Sequence, residues 1–334
     1  MKFSKMPFLL FCCLILFQTP LRAQINPEHP IHSLLEIYRI MEASKLMYVL
    51  EPDSMFNKEP EDSAEILSNQ LYIANDDSGK RVILKNELSD SAAKLLRAGE
   101  LEFAGGHPQQ ARELYQKLMQ VQPAYCYAYT LIGDVYFQES KYDTAKYYFI
   151  QALSRNFVDV DAHWFLADAE WQLGDHEGAL KEISLAHLLN RNHTQIKERL
   201  ELYRQQMGRP WNDWKFRPHY HLRRDGHRIH IAAPDQWMPY AMAKALWQYE
   251  PGYAKRLTGQ AYNPNIVNIA EETEAIMTED STAIPTSLLH HIVEEKFLIE
   301  FILYEVVSPK HPNVLLEQSE DELFRLVEYL DKFH

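Results

Sequence analysis

The residues best suited to chemistry lie in the C-terminal third, where four histidines fall within the stretch HYHLRRDGHRIH. They are His219, His221, His227 and His230. Alternate residues on paired strands point to the same face, and imidazole is a common zinc ligand. However, the spacing matches no metal-binding motif, and histidines of a hairpin are more often solvated cross-strand neighbours. We therefore retain the four as candidate metal ligands but expect neither a metal nor another cofactor.

A second group of ionisable residues, His290, His291, Glu294 and Glu295, lies in the stretch HHIVEE. Each histidine is four residues before a glutamate, so each pair shares one helical face. The metalloprotease pattern His-Glu-x-x-His is absent, and no third ligand stands at a recognisable spacing. The sequence also lacks a Gly-rich phosphate loop, a Gly-x-Ser-x-Gly element and a reactive cysteine pair. These observations favour a protein without catalytic activity, with an enzyme left open as the alternative.

The elements that must position such residues follow an N-terminal segment typical of a secretory signal peptide. Two lysines precede an apolar run from Met6 to Phe17, and a polar stretch then ends at Ala23. The run is shorter than the roughly 20 apolar residues that span a bilayer, and it fits a cleaved signal peptide, with a buried N-terminal helix as the alternative. We therefore predict that residues 1–23 are removed and that the protein is exported, either to the periplasm or out of the cell.

The net charge of -13 at pH 7 disfavours nucleic acid and anionic membranes as partners. No later stretch predicts a membrane span, because the most apolar one, KFLIEFILYEVV, contains Glu300 and Glu305. Once the signal has been removed, Cys126 is the single cysteine, so no internal disulfide can form. A mature chain of this length suggests two domains, or a repeat array with one domain attached.

Three consecutive segments, starting at residues 92, 126 and 160, align at an interval of 34 residues. A small residue, an alanine and a large apolar residue recur in register in all three. The three columns are Gly99, Gly133 and Ala167; Ala111, Ala145 and Ala179; and Tyr115, Phe149 and Ile183. The small residue allows two helices to approach closely, and the large one fills the groove beside it. Each segment therefore predicts a helical hairpin, with turns near Gly106, Ser140 and Gly174.

This pattern resembles the tetratricopeptide repeat over residues 92–193, and it is most complete in the second repeat. The family's pattern positions there are Gly133, Tyr136, Ala145, Phe149 and Ala152. The resemblance implies a mainly α fold of α-α superhelical repeats. Because a stack of repeats needs its ends covered, we assign the stretch TQIKERLELYRQQMG, within residues 194–210, as a capping helix.

The resemblance also implies that positions 2, 5, 9 and 12 of each repeat line a concave groove. The partner-binding residues implied in this way are Glu100, Phe103, Tyr127, Asp134, Phe137, Trp164, Asp168 and Trp171. Aromatic side chains suit recognition because they bury a large area with few rotatable bonds. The acids would favour a protein or peptide segment that carries Lys or Arg. The alternative is that the acids are solvated and the aromatics pack between repeats.

Two further segments flank the repeats. Residues 24–91 are predicted to form an N-terminal helical segment, with an amphipathic helix over 31–50, an acidic loop from 51 and one or two short elements within 64–90. Residues 211–334 are predicted to form a small α+β domain. Its predicted parts are a β-hairpin turning at Arg224-Asp225-Gly226, a helix from 237 to about 251, a long buried helix over 287–307, and a helix opened by a capping box from Ser319 to Glu322.

The favoured interpretation is an exported, non-catalytic adaptor that holds a protein or peptide partner in an aromatic and acidic concave groove. The alternatives are a metal-dependent enzyme and a glycan-binding protein, each with its site in the C-terminal domain, which is rich in His and Trp. An enzyme requires a pocket of converging ionisable groups in residues 211–334, whereas an adaptor requires only an open groove.

Overall fold

A computed structural model describes residues 31–52, 71–75, 81–264, 268–278, 286–309 and 311–334. The predicted signal peptide, residues 1–23, lies outside the described residues, and so does most of the predicted acidic loop. No helix within the described ranges has the length and the apolar character that crossing a membrane requires.

The chain is mainly helical. The helices are α1 (Leu34–Ala43), α2 (Asp90–Ala104), α3 (Pro108–Val121), α4 (Tyr127–Gln138), α5 (Tyr142–Leu153), α6 (Val160–Leu173), α7 (His176–Leu189), α8 (Thr194–Gln206), α9 (Met238–Tyr249), α10 (Tyr253–Thr258), α11 (Ile269–Met277), α12 (Thr286–Glu294), α13 (Leu298–Phe301), α14 (Asn313–Leu316) and α15 (Glu320–Phe333). The strands are β1 (Met47–Pro52), β2 (Leu71–Asn75), β3 (Arg81–Lys85), β4 (His221–Asp225) and β5 (Arg228–Ala233). A 3₁₀ turn, Asp235–Trp237, precedes α9, and a π-helix, Ile302–Val307, follows α13.

The chain divides into two compact units. Unit 1 contains Met1–Phe56 and Pro218–Thr286, and unit 2 contains Asn57–Arg217 and Ser287–His334. This division differs from the predicted boundaries after 91 and 210. The N-terminal elements belong to unit 1 because β1 lies beside β5 in one sheet. The last helices of the predicted C-terminal domain belong to unit 2, with the repeats.

Unit 1 is built on a three-stranded mixed sheet of order β1-β5-β4. The antiparallel hairpin predicted from the sequence is confirmed as β4 and β5, joined by a turn in which Gly226 has φ +58°. β1 runs parallel to β5, with Tyr48 opposite Ile229. Alternate residues of β5 are fully buried, and α9 packs on this strand.

The N-terminal segment is not purely helical, in contrast to the prediction. α1 begins with a capping box from Ser33 to Glu36 but ends at Ala43. The apolar stretch after it forms β1, because β5 supplies the backbone hydrogen-bonding partners that a helix would otherwise provide internally. The short elements predicted within 64–90 include the antiparallel pair β2 and β3, which belongs to unit 2.

Unit 2 contains the three predicted helical hairpins, α2 with α3, α4 with α5, and α6 with α7, which we call repeats 1, 2 and 3. The turns within them carry positive φ angles at residues 34 apart: +76° at Gly106, +58° at Ser140 and +85° at Gly174. The small-residue column allows close approach, because a Cβ built at Gly133 would lie 2.5 Å from Cε1 of Phe149. The repeat prediction is therefore confirmed at both its turns and its contacts.

The predicted capping helix is α8, which packs against α7. Its N-terminal cap is His193, whose ring accepts a hydrogen bond from the backbone N–H of Ile196. The chain leaves the helix through Gly208, which has φ +74°.

The long helix predicted over 287–307 is wrong as a single element. α12 ends at Glu294, Lys296 adopts a φ of +63°, and the chain continues as α13 and then the π-helix. Arg325 of α15 donates to the carbonyl of Lys296 at 2.9 Å, which satisfies the backbone at the break. The predicted capping box from Ser319 to Glu322 is confirmed at the start of α15, and α15 packs against α7.

Candidate partner-binding groove

The eight predicted partner-binding residues lie on α2, α4 and α6, the first helices of the three repeats. We call the surface that carries them the groove. Glu100 is exposed, and the other seven are half-buried. The contacts of these residues differ between repeats. Some of the side chains form hydrogen bonds, an ion pair or ring stacks with other parts of the chain, and others form fewer such contacts.

Position 2 links repeat 2 to repeat 3. The hydroxyl of Tyr127 donates to Oδ2 of Asp161, the residue at the same position of the next repeat, at 2.8 Å. Beside this pair, the buried hydroxyl of Thr130 donates to Oδ2 of Asp159 at 2.8 Å, and Oδ1 of Asp159 caps α6 by accepting from the N–H of Ala162. Thr130 stands at position 5 of repeat 2, a position that the resemblance assigns to the groove, but its side chain is fully buried in the interface between repeats.

The carboxylates at this junction are poorly hydrated. Burial raises the pKa of Asp134 to about 6; a hydrogen bond with the side chain of Gln138 lowers the pKa and the charge of Asp161 raises it. Burial also raises the pKa of Asp161, although the hydrogen bond from Tyr127 opposes that shift. The pKa of Asp159 rises to about 7, mainly because this carboxyl is buried. Repeats 2 and 3 therefore concentrate acidic groups where their negative charges are only partly stabilised.

Asp168, at position 9 of repeat 3, is stabilised by the capping helix. The hydroxyl of Tyr203 donates to its Oδ1 at 2.6 Å, and Nη1 of Arg199 lies 3.4 Å from the same oxygen. Burial nevertheless raises the pKa of Asp168. Two side chains of α8 thus occupy the positions from which a partner would contact this carboxylate.

The aromatic residues of repeat 3 also pack within the chain. The Trp171 ring stacks on Tyr203 with centroids 4.0 Å apart and on His176 at 4.2 Å. The Trp164 ring meets His193 edge-on at 5.4 Å, and its Nε1 is buried without a hydrogen-bond partner in the described part of the chain. For Trp171 in particular, packing between elements accounts for the aromatic side chain, as the alternative interpretation expected.

The position-12 aromatics of repeats 1 and 2 also pack within the chain. Phe137 packs against the cluster of Ala145, Phe149, Leu166 and Ala169, which joins repeats 2 and 3, and lies 5.3 Å from the Tyr142 ring. Phe103 packs against the cluster that contains Ala111 and Tyr115. The position-12 aromatics of all three repeats therefore pack within the chain and stay half-buried.

The four histidines proposed as metal ligands do not converge. His230 pairs with Glu51, its Nδ1 lying 2.7 Å from Oε1, and stands opposite Arg223 in the hairpin. His221 stands opposite Ala232, His227 lies in the turn, and His219 precedes β4 beside Trp237. Within the described ranges, no three His, Cys, Asp or Glu side chains are placed to hold a metal ion.

Sequence reasoning missed a buried charged cluster in unit 1. Nζ of Lys244 lies 2.6 Å from Oε1 of both Glu271 and Glu272, and the hydroxyl of Tyr240 donates to Glu272 at 2.6 Å. Burial raises the pKa of Glu271 to about 7, against the opposing charge of Lys244. The available signal was a lysine within the apolar helix YAMAKALW, which requires buried partners to remain charged.

The architecture of unit 2 defines a protein of the α-helical repeat class. A family model described as tetratricopeptide repeat matches residues 130–188. The chain therefore contains a tetratricopeptide-repeat segment, as its sequence pattern predicted.

Solved structures of this kind resemble part of the chain. The first tetratricopeptide domain of human RPAP3 is 23% identical with a TM-score of 0.34, over 35% of this chain and 93% of that one. The type III secretion chaperone SycD of Yersinia enterocolitica, solved with a peptide of the translocator YopD, is 18% identical with a TM-score of 0.33, over 36% and 99%. No curated protein matches the chain.

Proposed function

We propose that the protein is an exported, non-catalytic adaptor whose groove binds a segment of a protein partner that carries lysine or arginine. The observation that carries the proposal is the pair of carboxylates at the junction of repeats 2 and 3. Both are partly buried; Asp161 accepts a hydrogen bond from Tyr127 and is affected by the charge of His193, whereas Asp134 forms no ion pair with a lysine or an arginine of the described residues. A partly buried carboxylate is unfavourable when its charge is not compensated. A cation from a partner would supply that compensation.

The shape and composition of the surface support the same proposal. Helical repeats stacked side by side present an extended surface suited to a peptide segment. Phe137 and Trp164 are half-buried aromatic residues on the helices that carry the two carboxylates. Partly exposed aromatic rings beside acidic groups provide apolar area and charge complementarity together.

Export remains part of the proposal, and it rests on the N-terminal sequence. The apolar run from Met6 to Phe17, the preceding lysines and the small residue Ala23 have the order of a secretory signal. Cell fractionation tests it: the chain should be recovered outside the cytoplasm with an N-terminus close to residue 24. A full-length N-terminus on cytoplasmic protein would refute the export proposal.

Affinity purification from the native cell envelope tests the groove. The full chain would be compared with a double variant, Asp134→Lys with Trp164→Ala, and with Glu113→Lys as the control. Glu113 lies exposed on α3, a second helix of a repeat, so this control reverses the same charge away from the groove. We expect the double variant, and not the control, to lose a partner that the natural chain retains. Equal recovery with all three proteins would refute groove binding.

A further inference from the structure

One acidic position recurs in register through the repeats, and its neighbours change from one repeat to the next. Position 9 is Glu100 in repeat 1, Asp134 in repeat 2 and Asp168 in repeat 3. In repeat 3 the following helix, α8, provides a guanidinium from Arg199 and a hydroxyl from Tyr203. These two residues stand 31 and 35 positions after Asp168. The chain thus contains its own example of how a cation is bound at position 9.

The same two offsets from Asp134 lead to residues that cannot compensate its charge. They are Phe165 and Ala169 on α6, and Ala169 is fully buried in an apolar cluster. Asp134 instead has the side chain of Gln138 on its own helix, which lowers its pKa, and a second carboxylate, Asp161, whose charge raises it. Half-burial leaves this carboxylate less hydrated than a surface acid, without the guanidinium that its counterpart has.

Glu100, at position 9 of repeat 1, also lacks a cation at these two offsets, but it differs from Asp134 in its exposure to water. The offsets from Glu100 lead to Leu131 and Val135, which also lack charge. Glu100, however, is exposed, so water stabilises its carboxylate. Of the three acids, only Asp134 is both withdrawn from water and without an ion pair to a described residue.

We propose that Asp134 forms an arginine-specific subsite, in which a partner's guanidinium supplies the charge that Arg199 supplies at Asp168. This inference rests on the proposed function and narrows it from a basic segment to one arginine side chain. The carboxylate of Asp134 offers two acceptor oxygens, and Phe137, one helical turn from Asp134, carries an aromatic ring. A guanidinium can donate to two acceptors at once and stack on a ring, whereas the ammonium of lysine is a compact and strongly hydrated charge.

Peptide display on the full chain tests the subsite. A phage library of random nonapeptides would be selected on the natural protein, on Asp134→Asn and on Glu113→Gln as the matched control. Asp134→Asn keeps the size of the side chain and removes its charge, and circular dichroism would verify that both variants fold. We expect arginine to be enriched above lysine on the natural protein and on the control, and to lose that enrichment on Asp134→Asn.

The selected peptides then give a quantitative comparison. A selected peptide with its arginine replaced by citrulline, which is neutral and similar in shape, should bind the natural protein about ten- to hundredfold more weakly, as expected for losing one charged hydrogen-bonded pair. The same exchange should have little effect on Asp134→Asn.

The outcomes separate the two proposals. Enriched peptides without arginine, whose binding still falls with Trp164→Ala, would overturn the arginine subsite and leave the groove proposal standing. Arginine enrichment that is equal on Asp134→Asn and on the natural protein would also overturn the subsite. Failure of the natural protein to enrich any peptide would overturn both.

Discussion

Replacing Gly133 by alanine would insert a methyl group into the contact between the two helices of repeat 2. The added Cβ would lie 2.5 Å from Cε1 and 2.6 Å from Cδ1 of Phe149, whereas ordinary contact begins at 3.4 Å. Phe149 is fully buried, and its ring packs with Phe165 of the next repeat at a centroid distance of 6.0 Å. The ring cannot give way without displacing repeat 3.

Two opposing effects set the magnitude. Overpacking of this size in a filled core costs about 1–3 kcal/mol. Alanine, however, favours a helix interior by about 1 kcal/mol relative to glycine. We therefore expect Gly133→Ala to lower the free energy of unfolding by up to about 2 kcal/mol. In a Phe149→Ile background the clash is relieved, because Gly133→Ala then gives the alanine and isoleucine that repeat 3 has at these positions. There, Gly133→Ala should raise the free energy of unfolding by up to about 1 kcal/mol.

A double-mutant cycle on the full chain measures this change of sign. Urea unfolding would be followed for the transition of unit 2, which contains the repeats, and the coupling between the two substitutions should be about 1–3 kcal/mol. Ala167→Gly provides the control at the same position of repeat 3, where only the helix-propensity term of about 1 kcal/mol and the loss of one methyl group apply. Equal effects of Gly133→Ala in both backgrounds would refute the proposed contact.

Three further predictions follow from single contacts. Ser140→Gly should raise the free energy of unfolding by about 1 kcal/mol, measured by urea unfolding, because Ser140 has a φ of +58° that glycine adopts without strain. Lys244→Met should lower the free energy of unfolding of unit 1 by about 3–5 kcal/mol, because the carboxylates of Glu271 and Glu272 would lose their buried cation. Binding of a selected arginine peptide, measured by isothermal titration calorimetry, should weaken as pH falls through about 6, because the pKa of Asp134 is about 6 and its protonation removes the acceptor charge.

Matched variants serve as controls for these three. Ser154→Gly changes a serine with φ -63° at the end of α5, so it should not stabilise the protein. Lys255→Met removes an exposed lysine of unit 1 and should change its stability by less than about 1 kcal/mol. For the pH profile, Asp134→Asn should remove the step near pH 6. The other titratable groups described at this junction are Asp159, Asp161, Tyr115 and His193, and a step of unchanged size in that variant would assign it to one of these groups instead.

The repeats were predictable because their information is local. Gly133 and Phe149, sixteen residues apart, specify one helical contact, and the same spacing recurs in the neighbouring repeats. The turn positions follow in the same way, even where Ser140 replaces the glycine used by the other two repeats. A pattern that recurs at one interval can be read without knowledge of distant parts of the chain.

The sheet of unit 1 was not predictable in this way. The pairing of Tyr48 with Ile229 joins residues 181 positions apart, and nothing near Met47–Pro52 indicates which strand lies beside it. The apolar stretch LMYVL is compatible with either a helix or a strand, and the tertiary partner decides. Similarly, neither glycine nor proline marks the break at Lys296, which depends on a hydrogen bond from Arg325.

The repeat positions of the candidate site residues could be predicted from the sequence. Whether each residue is already contacted by another side chain of the protein could not. Counting along each repeat places Asp134 and Asp168 at the same position, with the same side chain. Only the structure shows that Arg199 and Tyr203 already engage Asp168. The helix that follows each repeat carries the residues next to the acid at position 9. Those residues therefore decide whether the acid can bind a cation from a partner. If the groove binds cations as proposed, their recognition depends on two adjacent helical elements together, and a change at Phe165 or Ala169 should alter it as a change at Asp134 would.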